Sequence, residues 1–98
     1  MIQLSPEDVK KRLQEPDIYL LDVREVFEHE AFNIGGKVIP LGDIISMAEN
    51  IPTDITVIIY CKRGIRSQIA IQRLQAKFGF TNLINLEGGM EAWKKIIR

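Results

Sequence analysis

The hydrophobic positions of the sequence fall into short continuous runs, which are separated by charged segments with helical periodicity. The run of residues 55–60 is apolar and β-branched almost throughout, as is typical of a strand buried on both faces of a sheet. The predicted strands are residues 2–4, 18–23, 38–39, 55–60 and 83–86. The predicted helices are residues 6–14, 25–32, 41–49 and 68–78, with a last one from the Gly88–Gly89 turn to residue 97.

Strands that alternate with helices predict a parallel sheet with helices on both faces, because parallel strands need crossover connections. A chain of 98 residues leaves room for one such unit, so residues 1–98 are interpreted as a single domain. Ligands of these sheets bind beyond the carboxyl ends of the strands. The loop that starts at Cys61, directly after the strongest predicted strand, is expected to lie there.

Two predicted helices carry clear signals at their ends. Ser5 is expected to cap the first helix, and Pro6 suits its first position. Ser67 is expected to cap the helix after the Cys61 loop, and Gly79 is expected to end it. The buried face of that helix is expected to contain Ala70, Ile71, Leu74 and Phe78.

The formal net charge is zero, with 13 basic and 13 acidic side chains, which argues against nucleic-acid binding through a general basic surface. Lys62, Arg63 and Arg66 nevertheless place three cations within five positions that contain no acid. No apolar run approaches the roughly 20 residues that cross a bilayer, and a single cysteine forms no internal disulfide. We therefore expect a cytoplasmic protein with one concentrated positive site and no membrane association.

The segment from Cys61 to Ser67 lies between a predicted buried strand and a helix N-terminus. A loop in this position can turn its backbone N–H groups towards one point, where the helix dipole adds positive potential. If the sulfur of Cys61 lies at that point, these groups and the nearby cations favour the thiolate over the thiol. Gly64 permits a backbone conformation that a side chain would obstruct. The pattern therefore predicts a nucleophilic cysteine.

Four segments stand out in order along the chain: Leu20–Glu25, Val38–Leu41, Cys61–Ser67 and Leu86–Trp93. The third is similar to the active-site loop of rhodanese sulfurtransferases, Cys-x-x-Gly-x-Arg-Ser. The others are similar to that family's Leu-(Ile/Leu)-Asp-Val-Arg, Ile-Pro-Leu and Gly-Gly-x-x-x-Trp segments, and the resemblance covers essentially the whole chain. The sequence has Asn33 where many family members have histidine, at a position that we interpret as structural.

The resemblance implies a rhodanese-like α/β fold, with a five-stranded parallel sheet flanked by helices on both faces. It implies a sulfurtransferase in which Cys61 takes sulfane sulfur from thiosulfate or a persulfide donor and holds it as a persulfide. A thiol or cyanide then accepts that sulfur, and no metal or organic cofactor is needed. Residues 32–36 also resemble rhodanese domains attached to enzymes that activate ubiquitin-like sulfur carriers, which suggests a protein persulfide or sulfur-carrier partner.

The residues expected to bind substrate are the six that follow the cysteine: Lys62, Arg63, Gly64, Ile65, Arg66 and Ser67. Asp22 and Arg24 are expected to brace the loop. The role of Arg66 is open: it touches substrate, or it pairs with a carboxylate such as that of Asp22. His29 is flanked by two glutamates and is interpreted as a surface residue, and Trp93 as part of the core.

Two other functions are compatible with the same fold. A phosphatase or arsenate reductase is disfavoured because four residues separate Cys61 from Arg66. The corresponding loop of cysteine phosphatases has one more residue, which widens it for a tetrahedral anion. A catalytically silent scaffold module is disfavoured because such modules commonly lack the cysteine. The sequence therefore favours sulfur transfer.

Overall fold

Five strands form one sheet in the computed structural model, which describes residues 1–97, and all neighbouring strands are parallel. The strands are β1 (Ile2–Leu4), β2 (Ile18–Asp22), β3 (Lys37–Val38), β4 (Thr56–Tyr60) and β5 (Leu83–Leu86). The α-helices are α1 (Pro6–Arg12), α2 (Val26–Ala31), α3 (Ile65–Phe78) and α4 (Gly89–Ile96). The predicted five-stranded parallel sheet is therefore confirmed.

The strand order across the sheet is β1-β5-β4-β2-β3, with β4 at the centre. This position suits the sequence of β4, because residues 57–60 are apolar and all of them are buried. Asp22 at the end of β2 is in register with Tyr60 at the end of β4. The carboxyl ends of the two strands thus lie side by side, which brings the segment after Asp22 close to Cys61.

Helices cover both faces of the sheet, as predicted. One core cluster joins the inner face of α3 to alternate residues of β4, including Ala70, Ile71, Leu74, Val57 and Ile59. The other joins α1 and α4 to the opposite side of β4 and includes Val9, Met90, Trp93, Ile58 and Tyr60. β4 contributes buried apolar side chains to both core clusters. Since full burial of one such side chain stabilises the fold by about 1.5–3 kcal/mol, β4 contributes strongly to the packing of both helical layers.

The segment predicted as one helix over residues 41–49 forms two short 3-10 helices instead, Leu41–Asp43 and Ala48–Asn50. Gly42 is a poor helix former, and the bent path buries both Ile44 and Ala48. Tertiary packing therefore outweighs the local helical pattern here.

The helix after the Cys61 loop begins at Ile65, before the predicted cap, so Ser67 lies inside its first turn and is fully buried. Phe78 was predicted to belong to the core, but it is 49% exposed. Its ring instead makes an edge contact with that of buried Phe80, with ring centroids 6.3 Å apart. The helix ends at Gly79 as predicted, where φ is 71°. No helix in residues 1–97 is long and apolar enough to span a membrane.

Candidate active site at Cys61

The sulfur of Cys61 lies at the end of β4 and faces the beginning of α3. The backbone N–H groups of Gly64 and Ser67 donate hydrogen bonds to Sγ over 3.1 and 3.4 Å. The hydroxyl of Ser67 lies 3.4 Å from the same sulfur. Cys61 is 1% exposed, so these donors replace water around the sulfur. Together with the positive end of the α3 dipole they favour a negative charge on it.

Gly64 sets the shape of the loop. Its φ is 90°, in the left-handed region that a side chain disfavours. A Cβ at this position would also lie 3.2 Å from the backbone nitrogen of Gly88. Gly64 therefore serves two purposes, because it turns its own N–H towards the sulfur and it lets a second loop approach.

The second loop is the Gly88–Gly89 turn before α4, which packs directly on the cysteine loop. The N–H groups of Met90 and Glu91 donate to the carbonyl oxygens of Cys61 and Lys62 over 2.8 and 3.0 Å. A Cβ at Gly89 would lie 2.5 Å from the carbonyl oxygen of Cys61, which leaves room only for glycine. The glycine pair is visible in the sequence as a turn, but no local signal there indicates that it packs on the cysteine loop.

The three cations of the loop differ in their surroundings. Arg63 pairs with Glu91 over 3.2 Å, but the two side chains are 65% and 47% exposed, so this ion pair is weak. Lys62 is exposed, and within residues 1–97 its side chain makes no ion pair. Lys62 is therefore the cation that is most available to an incoming anion.

Arg66 forms a two-pronged ion pair with Glu28 of α2, with N–O distances of 2.7 and 3.0 Å. Asp22, which the sequence suggested as a carboxylate partner for Arg66, is not that partner, because its carboxylate is engaged by Arg24 and His29. The hydrogen bond from Arg66 lowers the pKa of Glu28 to about 2, and the same bond raises the pKa of Arg66. Glu28 is thus ionised over the whole physiological pH range.

Acid is expected to remove the stabilising effect of the Glu28–Arg66 pair. The pKa of Glu28 is lowered from 4.5 to about 2 on folding. The ion pair therefore stabilises the folded protein fully at pH values above 4.5. This stabilisation is lost as the pH falls towards 2. The stability difference between wild type and Glu28→Gln should therefore shrink between about pH 5 and pH 2. Urea unfolding at a series of pH values measures it. Glu30→Gln, an exposed change in the same helix, should follow the wild-type curve at all pH values.

Asp22, Arg24 and His29 form a buried network beside the loop. Asp22 is 0% exposed, and its carboxylate accepts hydrogen bonds from the backbone and side chain of Arg24 over 2.8–3.0 Å. Nδ1 of His29 lies 2.9 Å from the same carboxylate, and its side chain is only 17% exposed. The prediction of a surface histidine was therefore wrong, since one helical turn of α2 aims His29 inward. Arg24 also donates to the carbonyl oxygen of Phe32 over 2.6 Å.

This network holds the C-terminal end of α2, the helix that carries Glu28, through His29 and the carbonyl oxygen of Phe32. It reaches the cysteine loop indirectly, because Glu28 in turn binds Arg66. The guanidinium of Arg24 lies 5.6 Å from the ring centroid of Tyr60, at the end of β4. Burial raises the pKa of Tyr60 to about 12, so its hydroxyl stays protonated and donates to the carbonyl oxygen of Gly35.

A cavity of about 360 Å³ opens over the sulfur. It is lined by Glu28, Cys61, Lys62, Arg63, Ile65 and Arg66. A larger hollow of about 810 Å³ lies between residues 45–54 and the end of α3, but its lining contains no cysteine, histidine or cationic side chain. The smaller cavity contains the only thiol of the chain and is the better candidate for a reaction site.

The sequence matches the rhodanese-like domain family over residues 5–96. YqhL of Bacillus subtilis is 41% identical over 75 residues, which cover 76% of this chain and 59% of YqhL. YrkF of the same organism, provisionally named as a sulfur carrier protein, is 34% identical over 93% of this chain and 50% of its own. The adenylyltransferase and sulfurtransferase MOCS3 of Drosophila grimshawi is 31% identical over 93% of this chain and 22% of its own. The chain thus spans 22–59% of the length of these relatives.

Solved structures show the same architecture. The rhodanese-like domain protein from Staphylococcus aureus superimposes with a TM-score of 0.84 and 27% identity, over 95% of this chain and 91% of that one. A rhodanese homolog from the extremely thermophilic bacterium Thermus thermophilus gives a TM-score of 0.74 and 27% identity, over 94% of this chain and 100% of that one. From its fold, its cysteine loop and this match along its length, the chain belongs to the rhodanese-like domain family.

Proposed function

We propose that this protein is a sulfurtransferase that carries sulfane sulfur as a persulfide on Cys61. The observation that supports this most directly is the surroundings of the sulfur. Sγ lies at the base of an open cavity and accepts hydrogen bonds from two backbone N–H groups. Such a position can hold a thiolate before transfer and a charged persulfide after it.

The loading step with thiosulfate exchanges one sulfur–sulfur bond for another. The thiolate of Cys61 attacks the outer sulfur, the new S–S bond forms, and sulfite leaves with the electron pair of the broken bond. Cys61 then carries an outer sulfur with one negative charge. Attack by cyanide or by an acceptor thiolate on that outer sulfur returns Cys61 to the thiolate form.

The residues around the cysteine have different roles in this transfer. The N–H groups of Gly64 and Ser67 stabilise the negative sulfur, and Lys62 binds the anionic part of the donor. Arg63 and Ile65 line the entrance to the cavity. Arg66 braces the loop, because both arms of its guanidinium are engaged by Glu28. Asp22 and Arg24 support that brace through α2.

Phosphate hydrolysis is less well supported. A phosphatase needs a ring of N–H groups around three phosphate oxygens, with an arginine that reaches them. Here the N–H groups of Gly64 and Ser67 lie 3.1 and 3.4 Å from the sulfur itself, so the loop is closed around one atom. Arg66 is turned towards Glu28.

The relatives suggest the kind of partner. YrkF is provisionally named as a sulfur carrier protein, and MOCS3 is named as a sulfurtransferase. A protein that delivers or accepts a persulfide or a carrier-bound sulfur is therefore the partner class that we propose. The cavity that Cys61 lines opens to solvent, which is the side from which such a partner would approach.

Incubation with thiosulfate is expected to add one sulfur atom to the protein, a gain of about 32 Da that a reducing thiol removes. Intact-mass spectrometry of the wild-type protein measures the gain directly. A parallel assay with p-nitrophenyl phosphate should show no release of nitrophenol. Hydrolysis of the phosphate ester without any gain of sulfur would contradict the proposed function and favour the phosphatase alternative.

A further inference from the structure

The carboxylate of Glu28 lies in the wall of the reaction cavity, although the proposed chemical steps do not involve it. It lines the same cavity as Cys61 and Lys62. Its side chain is 20% exposed, and it stays ionised because the hydrogen bond from Arg66 lowers its pKa to about 2. An anion that enters the cavity therefore meets an ionised carboxylate in the same cavity as the sulfur that it must reach.

Glu28 also changes what Arg66 can offer to a substrate. Both terminal nitrogens of the guanidinium bind the carboxylate, at 2.7 and 3.0 Å. The second arginine of the lining, Arg63, is 65% exposed and pairs only weakly with Glu91, so water screens much of its charge. Of the cations in the lining, Lys62 alone has no ionic partner within the described residues. The cavity is thus much less positive than the sequence cluster of three cations suggests.

We propose that Glu28 determines donor specificity by favouring a singly charged sulfur donor, the persulfide of a thiol, over dianionic thiosulfate. This inference rests on the proposed sulfurtransferase function and names its donor class. The charge on Cys61 is itself negative when it attacks, so each further negative charge on the donor adds repulsion that Lys62 cannot offset alone. A donor with one charge avoids most of that repulsion. Ile65 lines the cavity and its side chain is 62% exposed. It can therefore make an apolar contact with the carbon atoms of such a donor.

Two donors that differ by one charge isolate this effect. Methanethiosulfonate transfers its outer sulfur as thiosulfate does, but a methyl group replaces one charged oxygen and methanesulfinate leaves in place of sulfite. The measured quantity is kcat/KM for each donor with cyanide as the acceptor, which reports the loading step. Cysteine persulfide, which also carries one net negative charge at neutral pH, is the third donor. In the wild type, both singly charged donors should exceed thiosulfate in kcat/KM.

Glu28→Gln is expected to raise kcat/KM for thiosulfate relative to methanethiosulfonate by about five- to tenfold, the order expected for one charge near a partly exposed site. Glutamine removes the charge and keeps an oxygen that can accept from Arg66. Glu30→Gln makes the same change of charge at an exposed position of α2 outside the cavity, and it should shift the ratio less than about twofold. A loop that is merely loosened would slow both donors alike and leave the ratio unchanged.

An unchanged donor ratio in Glu28→Gln, or an equal shift in Glu30→Gln, would overturn the role of Glu28. Thiosulfate as the best of the three donors in the wild type would overturn the donor class, and this comparison holds even if Glu28→Gln fails to fold. Failure of the proposed function gives a different result, because then no donor adds sulfur to the wild-type protein.

Discussion

Replacement of Cys61 by serine is expected to lower sulfur transfer from thiosulfate to cyanide by about a thousandfold or more. A serine hydroxyl at this position has nearly the size of the thiol, and it can still accept hydrogen bonds from the N–H groups of Gly64 and Ser67. It cannot form a persulfide, so no intermediate carries the sulfur. Steady-state kinetics measures the loss, and intact mass after thiosulfate treatment should show no added sulfur.

The fold of the Cys61→Ser variant should stay intact, because the side chain is buried and changes by one atom only. Circular dichroism and urea unfolding provide this control. Ser67→Ala is a matched comparison, since it removes a hydroxyl 3.4 Å from the sulfur but leaves the thiol. It should reduce the rate far less. Wild-type transfer rates in Cys61→Ser would exclude a covalent role for this cysteine.

The largest loss of stability is expected from Asp22→Ala. The carboxylate is fully buried and accepts hydrogen bonds from Arg24, whose side chain is 7% exposed, so its removal leaves a buried cation without its counter-charge. Breaking a buried ion pair in this way costs about 3–5 kcal/mol of unfolding free energy. Urea unfolding followed by circular dichroism measures the change.

Asp17→Ala is the control for Asp22→Ala, because the same side chain is removed at an exposed position. It should change the unfolding free energy by less than about 0.5 kcal/mol. A loss below about 1 kcal/mol in Asp22→Ala would show that the network around Arg24 does not stabilise the fold as its geometry indicates.

The parts of the site that lie close together in the sequence were predictable. Cys61, Gly64 and the start of α3 fall within a few residues, so their physical effects on the sulfur can be inferred from local rules about helix N-termini and glycine. The sheet was predictable for a similar reason, since the run of residues 55–60 can only be buried on both faces. Local pattern and tertiary structure agree in these segments.

The parts supplied by other elements were not predictable in this way. Glu28 is one of four glutamates or aspartates within residues 22–30, and only the packing of α2 selects it as the partner of Arg66. His29 is flanked by acids and looks solvent-exposed in the sequence, yet it faces Asp22. Each depends on how one helix sits against the sheet, which no window of neighbouring residues encodes.

The difference between Phe78, which was expected in the core, and Phe80, which is found there, has a similar cause. Both rings fit the end of an apolar pattern, and the place where α3 stops decides which of them enters the core. Gly79 ends the helix between them, so the chain turns and Phe80 points inward while Phe78 remains half exposed. The terminating glycine was recognised, but its effect on the two neighbouring rings was not.

The contact between the Gly88–Gly89 turn and the cysteine loop has a consequence for biosynthesis. The ribosome makes Cys61 well before Met90 and Glu91, whose N–H groups hold the carbonyl oxygens of Cys61 and Lys62. The edge strand β1 is synthesised first, but its partner in the sheet is β5. The sheet therefore cannot be completed until residues 83–86 have been synthesised. On the nascent chain these two carbonyl oxygens therefore lack their partners, and the cysteine loop is held in place by this turn only when the last helix docks.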